Sequence, residues 1–178
     1  MRRLLANIML LMGPTLAGHG QVLDSLLRIL PEQRGIQRFR TLGELQWELG
    51  FSDAQRAKVF GTEELRLAES LGDSALIAQA MNDMAITEYR LGRLREAVEL
   101  NKKALLLRTV LRDCAGMAAS HSKIGVAYTD LLEFDSALAH NYAAARIYET
   151  NGDVLRSAQV RNSIGHLYQQ MSDLPAAE

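Results

Sequence analysis

The chain has 178 residues, enough for one domain of ordinary size. Its hydrophobic fraction of 48% and charged fraction of 23% are typical of a folded globular chain and exclude wholesale disorder. The formal net charge is −1, and the 20 basic and 21 acidic residues are interleaved, so the sequence carries no basic footprint for nucleic acid. The 29 Leu and 23 Ala residues far outnumber the 15 Val and Ile residues, which predicts an all-α fold.

The first twenty residues have the pattern of a secretory signal peptide. Arg2 and Arg3 supply a positive start, residues 4–11 are mostly apolar, and small residues follow Pro14. The apolar stretch is shorter than the roughly 20 residues that span a bilayer, so no stable membrane anchor is predicted within these residues. We predict a signal peptide over residues 1–20 and therefore export; the alternative is an amphipathic helix that caps a cytosolic domain.

A short amphipathic segment follows over residues 21–32 and ends at Pro31. Its apolar residues recur at helical spacing. They are Val22, Leu23, Leu26, Leu27, Ile29 and Leu30. We predict that this segment is an N-terminal capping helix for the domain behind it.

A repeat of forty residues organises the rest of the chain. Shifting residues 71–138 onto 111–178 gives 14 identities in 68 positions. Each unit reads as two antiparallel helices, and Gly72-Asp73 and Gly152-Asp153 supply the end of one helix and the N-cap of the next. A hairpin of two helices cannot bury its apolar stripe alone, so we predict a stacked α-solenoid over residues 33–178. Its repeats are 33–72, 73–112, 113–152 and an incomplete 153–178.

The third repeat resembles the tetratricopeptide family. Its residues Ile124-Gly125-x-x-Tyr128, followed by Ala137 and Ala144, match the family's spacing of hydrophobic, Gly, Tyr and small residues. The period of forty instead of 34 and the missing Trp depart from the pattern. The resemblance implies a right-handed α-solenoid of helix hairpins in which Gly125 faces Ala137; HEAT repeats are the structural alternative.

Signal peptide, lead helix and repeats together resemble the extracytoplasmic input region of bacterial sensor histidine kinases. That resemblance implies location in the bacterial periplasm and a signalling role. The last helix of the repeat pattern begins near Leu174, so we expect helix 154–171 to lack a partner and to expose Val160, Ile164 and Tyr168. Such a strip predicts self-association through the C-terminal end.

No residue pattern indicates chemistry. The histidines His19, His121, His140 and His166 have no metal-ligand spacing, and Cys114 has no second Cys or nearby His in sequence. We therefore expect no catalytic site, no metal and no cofactor.

A binding surface is the remaining prediction. In a tetratricopeptide solenoid the first helix of each hairpin lines a concave groove, where Asn82, Ser122 and Asn162 share one register and could hold an extended peptide by its amides. The predicted ligand-binding residues are Gln79, Asn82, Tyr89, Arg90, Ser122, Asp130, Asn162 and His166.

The sequence therefore predicts a non-enzymatic module that binds a protein or peptide, as the sensory N-terminal part of a signalling protein. The alternative is a self-contained exported scaffold that assembles through its open C-terminal end. An enzyme is the third and weakest reading.

Overall fold

The computed structural model describes residues 15–172 of the chain, and side chains from Gly20 onward. The predicted signal-peptide residues 1–14 and the start of the last predicted helix, at Leu174, lie outside the described residues. Within residues 15–172 the secondary structure consists of eight α-helices and one short 3-10 helix, Leu30–Glu32, without a strand. The helices are α1 (Thr15–Ile29), α2 (Gly35–Leu49), α3 (Ala54–Leu71), α4 (Ser74–Arg90), α5 (Leu94–Leu111), α6 (Cys114–Asp130), α7 (Phe134–Thr150) and α8 (Val154–Ser172).

The turns between hairpins form as their sequence predicts. Gly72 and Gly152 adopt left-handed φ angles of 67° and 73° after α3 and α7. Asp73 then accepts hydrogen bonds from the backbone N–H groups of Ala75 and Leu76. At the corresponding position after α5, Arg112 takes a φ of 55° without the freedom of glycine.

Each helix from α2 to α7 packs mainly against the helix before it and the helix after it, and α8 packs against α7. Polar side chains also join first helices of successive hairpins: Gln46 of α2 donates to Thr87 of α4, and Tyr89 of α4 donates to Asp130 of α6. Contacts between neighbours along the chain are the mark of a solenoid, and the predicted all-α solenoid is confirmed.

Alanine forms much of the buried core, because small side chains let adjacent helices approach closely. Examples are Ala57, Ala78, Ala97, Ala118 and Ala137, each at most 1% exposed. Larger apolar residues concentrate in the first hairpin, where Phe39, Leu42 and Leu45 are buried.

The side chain nearest to Gly125 is that of Asn141 and not the predicted Ala137. A Cβ on Gly125 would lie 2.4 Å from Oδ1 of Asn141, which stands one helical turn beyond Ala137. Two further helical glycines behave alike: Gly43 abuts Glu64, and Gly61 abuts Gln46. Glycine therefore makes room for buried polar side chains of the partner helix.

The expectation of an exposed strip on α8 is wrong for two of its three residues. Val160 and Ile164 are only 4% and 7% exposed, because they pack against Ala144, Ala145 and Tyr148. Tyr168 is 51% exposed. Helix α8 buries its apolar stripe against the preceding hairpin and needs no later partner for it.

Helix α1 packs against α2, and its Leu26 is buried. The helix begins at Thr15, so the predicted cleavage region near Gly20 lies inside it. None of the helices in the described part of the chain is long and apolar enough to cross a membrane.

Candidate functional site

The candidate site is the face formed by α2, α4, α6 and α8, which we call the groove. Three pockets lie along it. The first, of about 520 Å³, lies between α1, α2 and α4, and the middle one, of about 140 Å³, between α4, α5 and α6. The end pocket, of about 500 Å³, lies mainly between α6 and α8, with one residue each from α5 and α7.

The first pocket combines an apolar wall with acidic side chains. Val22, Leu26, Trp47 and Ile86 line it together with Glu44, Glu48 and Asp83. Asp83 is half-buried, and this burial raises the pKa of its carboxyl, while Lys123 acts in the opposite direction. The pocket thus offers an apolar surface with negative charge beside it.

A second carboxyl lies directly behind this pocket. Glu64 is fully buried on α3, and both of its carboxyl oxygens have no hydrogen-bond partner among the described residues. Its Oε1 lies 2.8 Å from the Cβ position at Gly43, a residue of the pocket wall. Burial, followed by the charge of Asp83, raises the pKa of Glu64 to about 8, so Glu64 is mostly neutral at pH 7.

Arg90 occupies one side of the same pocket. Its guanidinium carbon lies 3.7 Å from the ring centroid of Phe51 and 4.8 Å from that of Trp47, within the range of cation–π attraction. Trp47 and Phe51 also touch edge to face, at 5.7 Å between ring centroids. Both aromatic side chains are largely exposed.

The middle pocket is built around a polar chain of contacts. Lys123 Nζ donates to Asn82 Oδ1 at 2.5 Å, and Asn82 Nδ2 donates to Asn101 Oδ1. Tyr89, which also lines the pocket, donates its hydroxyl to Asp130 Oδ2 at 2.5 Å; that hydrogen bond, together with burial, raises the pKa of Tyr89 to about 12. These contacts order the surface between α4 and α6.

The end pocket has the opposite charge. Arg108, Lys123 and Arg156 line it, and no acidic side chain does. Arg108 donates to Gly116 O at 2.8 Å and to Ser120 Oγ at 2.9 Å, which holds it in place. Burial first, and then the charges of Arg108 and Arg156, lower the pKa of Lys123, whereas Asp83 raises it.

The structure distributes the predicted site residues unevenly. Gln79 and Arg90 line the first pocket, Tyr89 and Ser122 the middle one, and Ser122 also the end pocket. Asn82 is 3% exposed, because its amide is used between helices and is not presented to the groove. The other predicted residues line none of these three pockets. They are Asp130, which bonds Tyr89, and Asn162 and His166, which are exposed on α8.

Sequence reasoning missed the charged residues one position further along. Gly43, Asp83, Lys123 and Ser163 stand forty residues apart and all line groove pockets. The forty-residue period contained this signal, but the choice of register 82, 122, 162 missed it. Glu64 and Arg108 had no comparable signal, because they lie on second helices and reach the groove only through packing.

The remaining histidines form a pair outside the groove pockets. His121 of α6 and His140 of α7 lie with their Nδ1 atoms 3.0 Å apart. Burial lowers the pKa of His121, and burial together with His121 and Lys102 lowers that of His140 to about 4. Across residues 15–172, no three His, Cys, Asp or Glu side chains come together as a metal site would require.

Comparison with family models finds a tetratricopeptide match over one part of the chain. Residues 77–111, which cover most of α4 and all of α5, match the family model described as "Tetratricopeptide repeat". A search of curated proteins finds no match to the sequence.

Solved structures share the fold at low sequence identity. BtubC (BKLC) from P. vanneervenii has a TM-score of 0.72 at 20% identity, over 88% of this chain and 65% of that one. The apo form of RapI has a TM-score of 0.73 at 12% identity, over 89% of this chain and 44% of that one. The TPR-like repeats of a kinesin light chain from Podosopora anserina have a TM-score of 0.58 at 16% identity, over 88% and 92% of the two chains. The chain thus spans less than two thirds of the length of the first two proteins.

Proposed function

We propose that this protein is a non-enzymatic module that binds a protein or peptide along the groove. The observation that carries the proposal is the row of three pockets on one face, with the largest combining exposed Trp47 and half-buried Ile86 with polar side chains such as Gln79. Apolar surface with a few polar groups is typical of sites that bind short segments of other proteins. Tetratricopeptide folds are generally used for protein interaction, which supports the same reading.

Trp47 allows a direct test, because it is the only Trp in the chain and lines the first pocket. Peptides selected from a displayed random library against the full chain should shift Trp47 fluorescence on binding. Ile86→Ala should weaken their binding about fivefold, because it removes apolar contact area worth about 1 kcal/mol.

Leu106→Ala is the matched control, because Leu106 is 69% exposed on α5 and lines none of the groove pockets. It should leave the affinity unchanged, and circular dichroism should show both variants folded. A library that yields no binder, or binders that lose affinity equally with both variants, would contradict the proposal.

We also propose that the module is exported and serves as the sensory part of a bacterial signalling protein. The support is the sequence pattern of residues 1–20 and the family resemblance of the whole arrangement. Mass spectrometry of protein from its native host should find an N-terminus between Gly18 and Gln21. An intact cytosolic form that begins at Met1 would contradict export.

Assembly through the C-terminal end is the second candidate function. The buried state of Val160 and Ile164 removes its original basis, but Val154 and Leu155 at the start of α8 are 78% and 71% exposed. Light scattering of the full chain over a range of concentrations distinguishes the candidates. A concentration-dependent dimer that Leu155→Asp abolishes supports assembly, and a monomer throughout argues against it.

A further inference from the structure

The two large groove pockets differ in charge, and one repeat register is responsible for it. Asp83 lines the first pocket and Lys123, forty residues later at the same position of its hairpin, lines the end pocket. The same position holds Gly43 in the preceding hairpin and Ser163 in the following one. Along the groove, this position is therefore acidic in one hairpin and basic in the next, and it holds a small residue in the hairpins on either side.

Acidic side chains outnumber basic ones in the lining of the first pocket. Glu44, Glu48 and Asp83 line it, and the Glu64 carboxyl abuts its wall at Gly43. Of the two arginines that line it, Arg90 is held over the rings of Trp47 and Phe51. Because Glu64 is mostly neutral at pH 7, the charge that would attract a cation into the pocket comes from Glu44, Glu48 and Asp83.

The end pocket has the reverse composition. Lys123, Arg108 and Arg156 line it from α6, α5 and α8, and none of its lining residues is acidic. Both arginines have an acidic neighbour outside the pocket. Arg108 Nε lies 3.8 Å from Asp113 Oδ2, and Arg156 Nη1 lies 3.1 Å from Asp153 Oδ2. Lys123 has only the more distant Asp83 and is bonded to the neutral amide of Asn82. An anion in this pocket would meet three cations at once.

We propose that the groove binds a segment of a partner protein that carries a basic side chain for the first pocket and an acidic side chain for the end pocket. The inference rests on the proposed peptide-binding function and adds the chemistry of the partner. The two pockets are two helix-to-helix steps apart along the groove, or about 20 Å at 8–10 Å per step. An extended chain covers that distance in about six residues. The preferred segment therefore holds its two charges about six residues apart.

Four sets of synthetic peptides of about twelve residues test the proposal on the full chain. They share a neutral background of Ala, Gln and Ser with an apolar residue beside the first variable position. The two variable positions are Arg and Glu in either order, Arg and Arg, Glu and Glu, or Gln and Gln. Trp47 fluorescence and isothermal titration calorimetry measure binding at low and high salt. One order of Arg and Glu should bind at least about tenfold more tightly than every like-charged peptide, and salt should reduce the advantage.

Exposed residues supply variants that should not disturb folding. Relative to the better-binding order of Arg and Glu, Glu44→Gln should reduce the loss of affinity of the Glu and Glu peptide and leave that of the Arg and Arg peptide unchanged. Arg156→Gln should do the reverse. Glu69→Gln on α3 and Lys103→Gln on α5 are matched controls, because both residues are exposed and line none of the groove pockets. They should change neither preference.

The outcomes separate this inference from the function beneath it. Peptides that bind equally well whatever their charges, or Glu44 and Arg156 variants that behave like the controls, would overturn the opposite charge preferences of the two pockets and leave peptide binding in place. If none of these peptides binds and the random library also yields no groove binder, both proposals are wrong.

Discussion

At the scale of single residues, the buried carboxyl of Glu64 is the most unusual group in the protein. It lies between α2 and α3 with no hydrogen-bond partner among residues 15–172, where a polar atom costs free energy. Its pKa of about 8 means that the folded state binds a proton that the unfolded chain releases near pH 4.5. The unfolded state therefore binds fewer protons between these values, and the stability falls as the pH rises through that window.

We expect Glu64→Gln to flatten this dependence. The variant should be more stable than the parent chain by about 2–4 kcal/mol at pH 9, and should differ little at pH 5, where the parent carboxyl is already neutral. Urea unfolding at both pH values measures the change. Glu69→Gln, an exposed change on the same helix, is the control and should show the same pH dependence of stability as the parent chain. Equal pH dependence in the Glu64 variant and the parent chain would show that Glu64 does not hold a proton in the folded state.

The contact of Gly125 with Asn141 makes a second prediction at this scale. A methyl group on Gly125 would meet Asn141 Oδ1 at 2.4 Å and Cγ at 2.8 Å, and Asn141 is only 1% exposed. Gly125→Ala should therefore lower the free energy of unfolding by about 1–3 kcal/mol, as overpacking does. Combining it with Asn141→Ala should recover most of the loss, because the clashing amide is then absent. Additive losses in the double variant would place the clash elsewhere.

At the scale of helices, the His121 and His140 pair links α6 to α7. The groups that face it are Tyr128, whose ring lies 5.8 Å from that of His140, and Lys102 of α5. None of the groups that shift the pKa values of His121 and His140 is an acid that could balance a positive charge on both rings. Both pKa values are lowered in the folded state, so the unfolded chain binds more protons below about pH 6.5. Stability is therefore present above that pH and is lost as the pH falls towards 4.

We expect His140→Gln to reduce this acid sensitivity. Between pH 7 and pH 4.5 the parent chain should lose about 1–2 kcal/mol more than the variant, an estimate that allows for solvent screening of a half-exposed ring. Thermal melts followed by circular dichroism at both pH values give the comparison. His166→Gln is the control, because His166 is exposed on α8 and has no partner ring in the described contacts. An unchanged melt difference in His140→Gln would assign the acid sensitivity to other groups.

At the scale of the whole molecule, periodicity predicted the architecture better than it predicted the surface. The Gly-Asp turns at 72–73 and 152–153 fix helix ends by local geometry, so the sequence alone is sufficient there. The burial of Asn82 against Asn101 and the pairing of Gly125 with Asn141 depend on how the two helices of one hairpin dock, which helix periodicity alone does not specify. The charged pockets were missed for a related reason: Arg108 reaches its pocket from the preceding hairpin, and Glu64 lies behind its pocket on the second helix of the same hairpin.

The solenoid also determines how stability is distributed. Each helix contacts mainly its neighbours in sequence, so helices in the middle are supported from two sides and α8 is supported by the α6–α7 hairpin. We expect hydrogen exchange measured by mass spectrometry to show the strongest protection in α4 to α6 and a decline towards α1 and α8. Val160→Ala removes buried methyl groups from the contact of α8 with Ala144 and Tyr148 and should cost about 1–3 kcal/mol locally.

That variant makes the distribution testable within one chain. Exchange in α8 should accelerate by at least about tenfold, while α2 and α3 should keep the rates of the parent, because no described core cluster joins them to Val160. Leu155→Ala, an exposed change on the same helix, should alter neither. If Val160→Ala accelerates exchange equally in α2, α3 and α8, the protein unfolds as one cooperative unit. Its stability would then be shared along the whole stack, and docking between hairpins would be stronger than neighbour contacts of this kind provide.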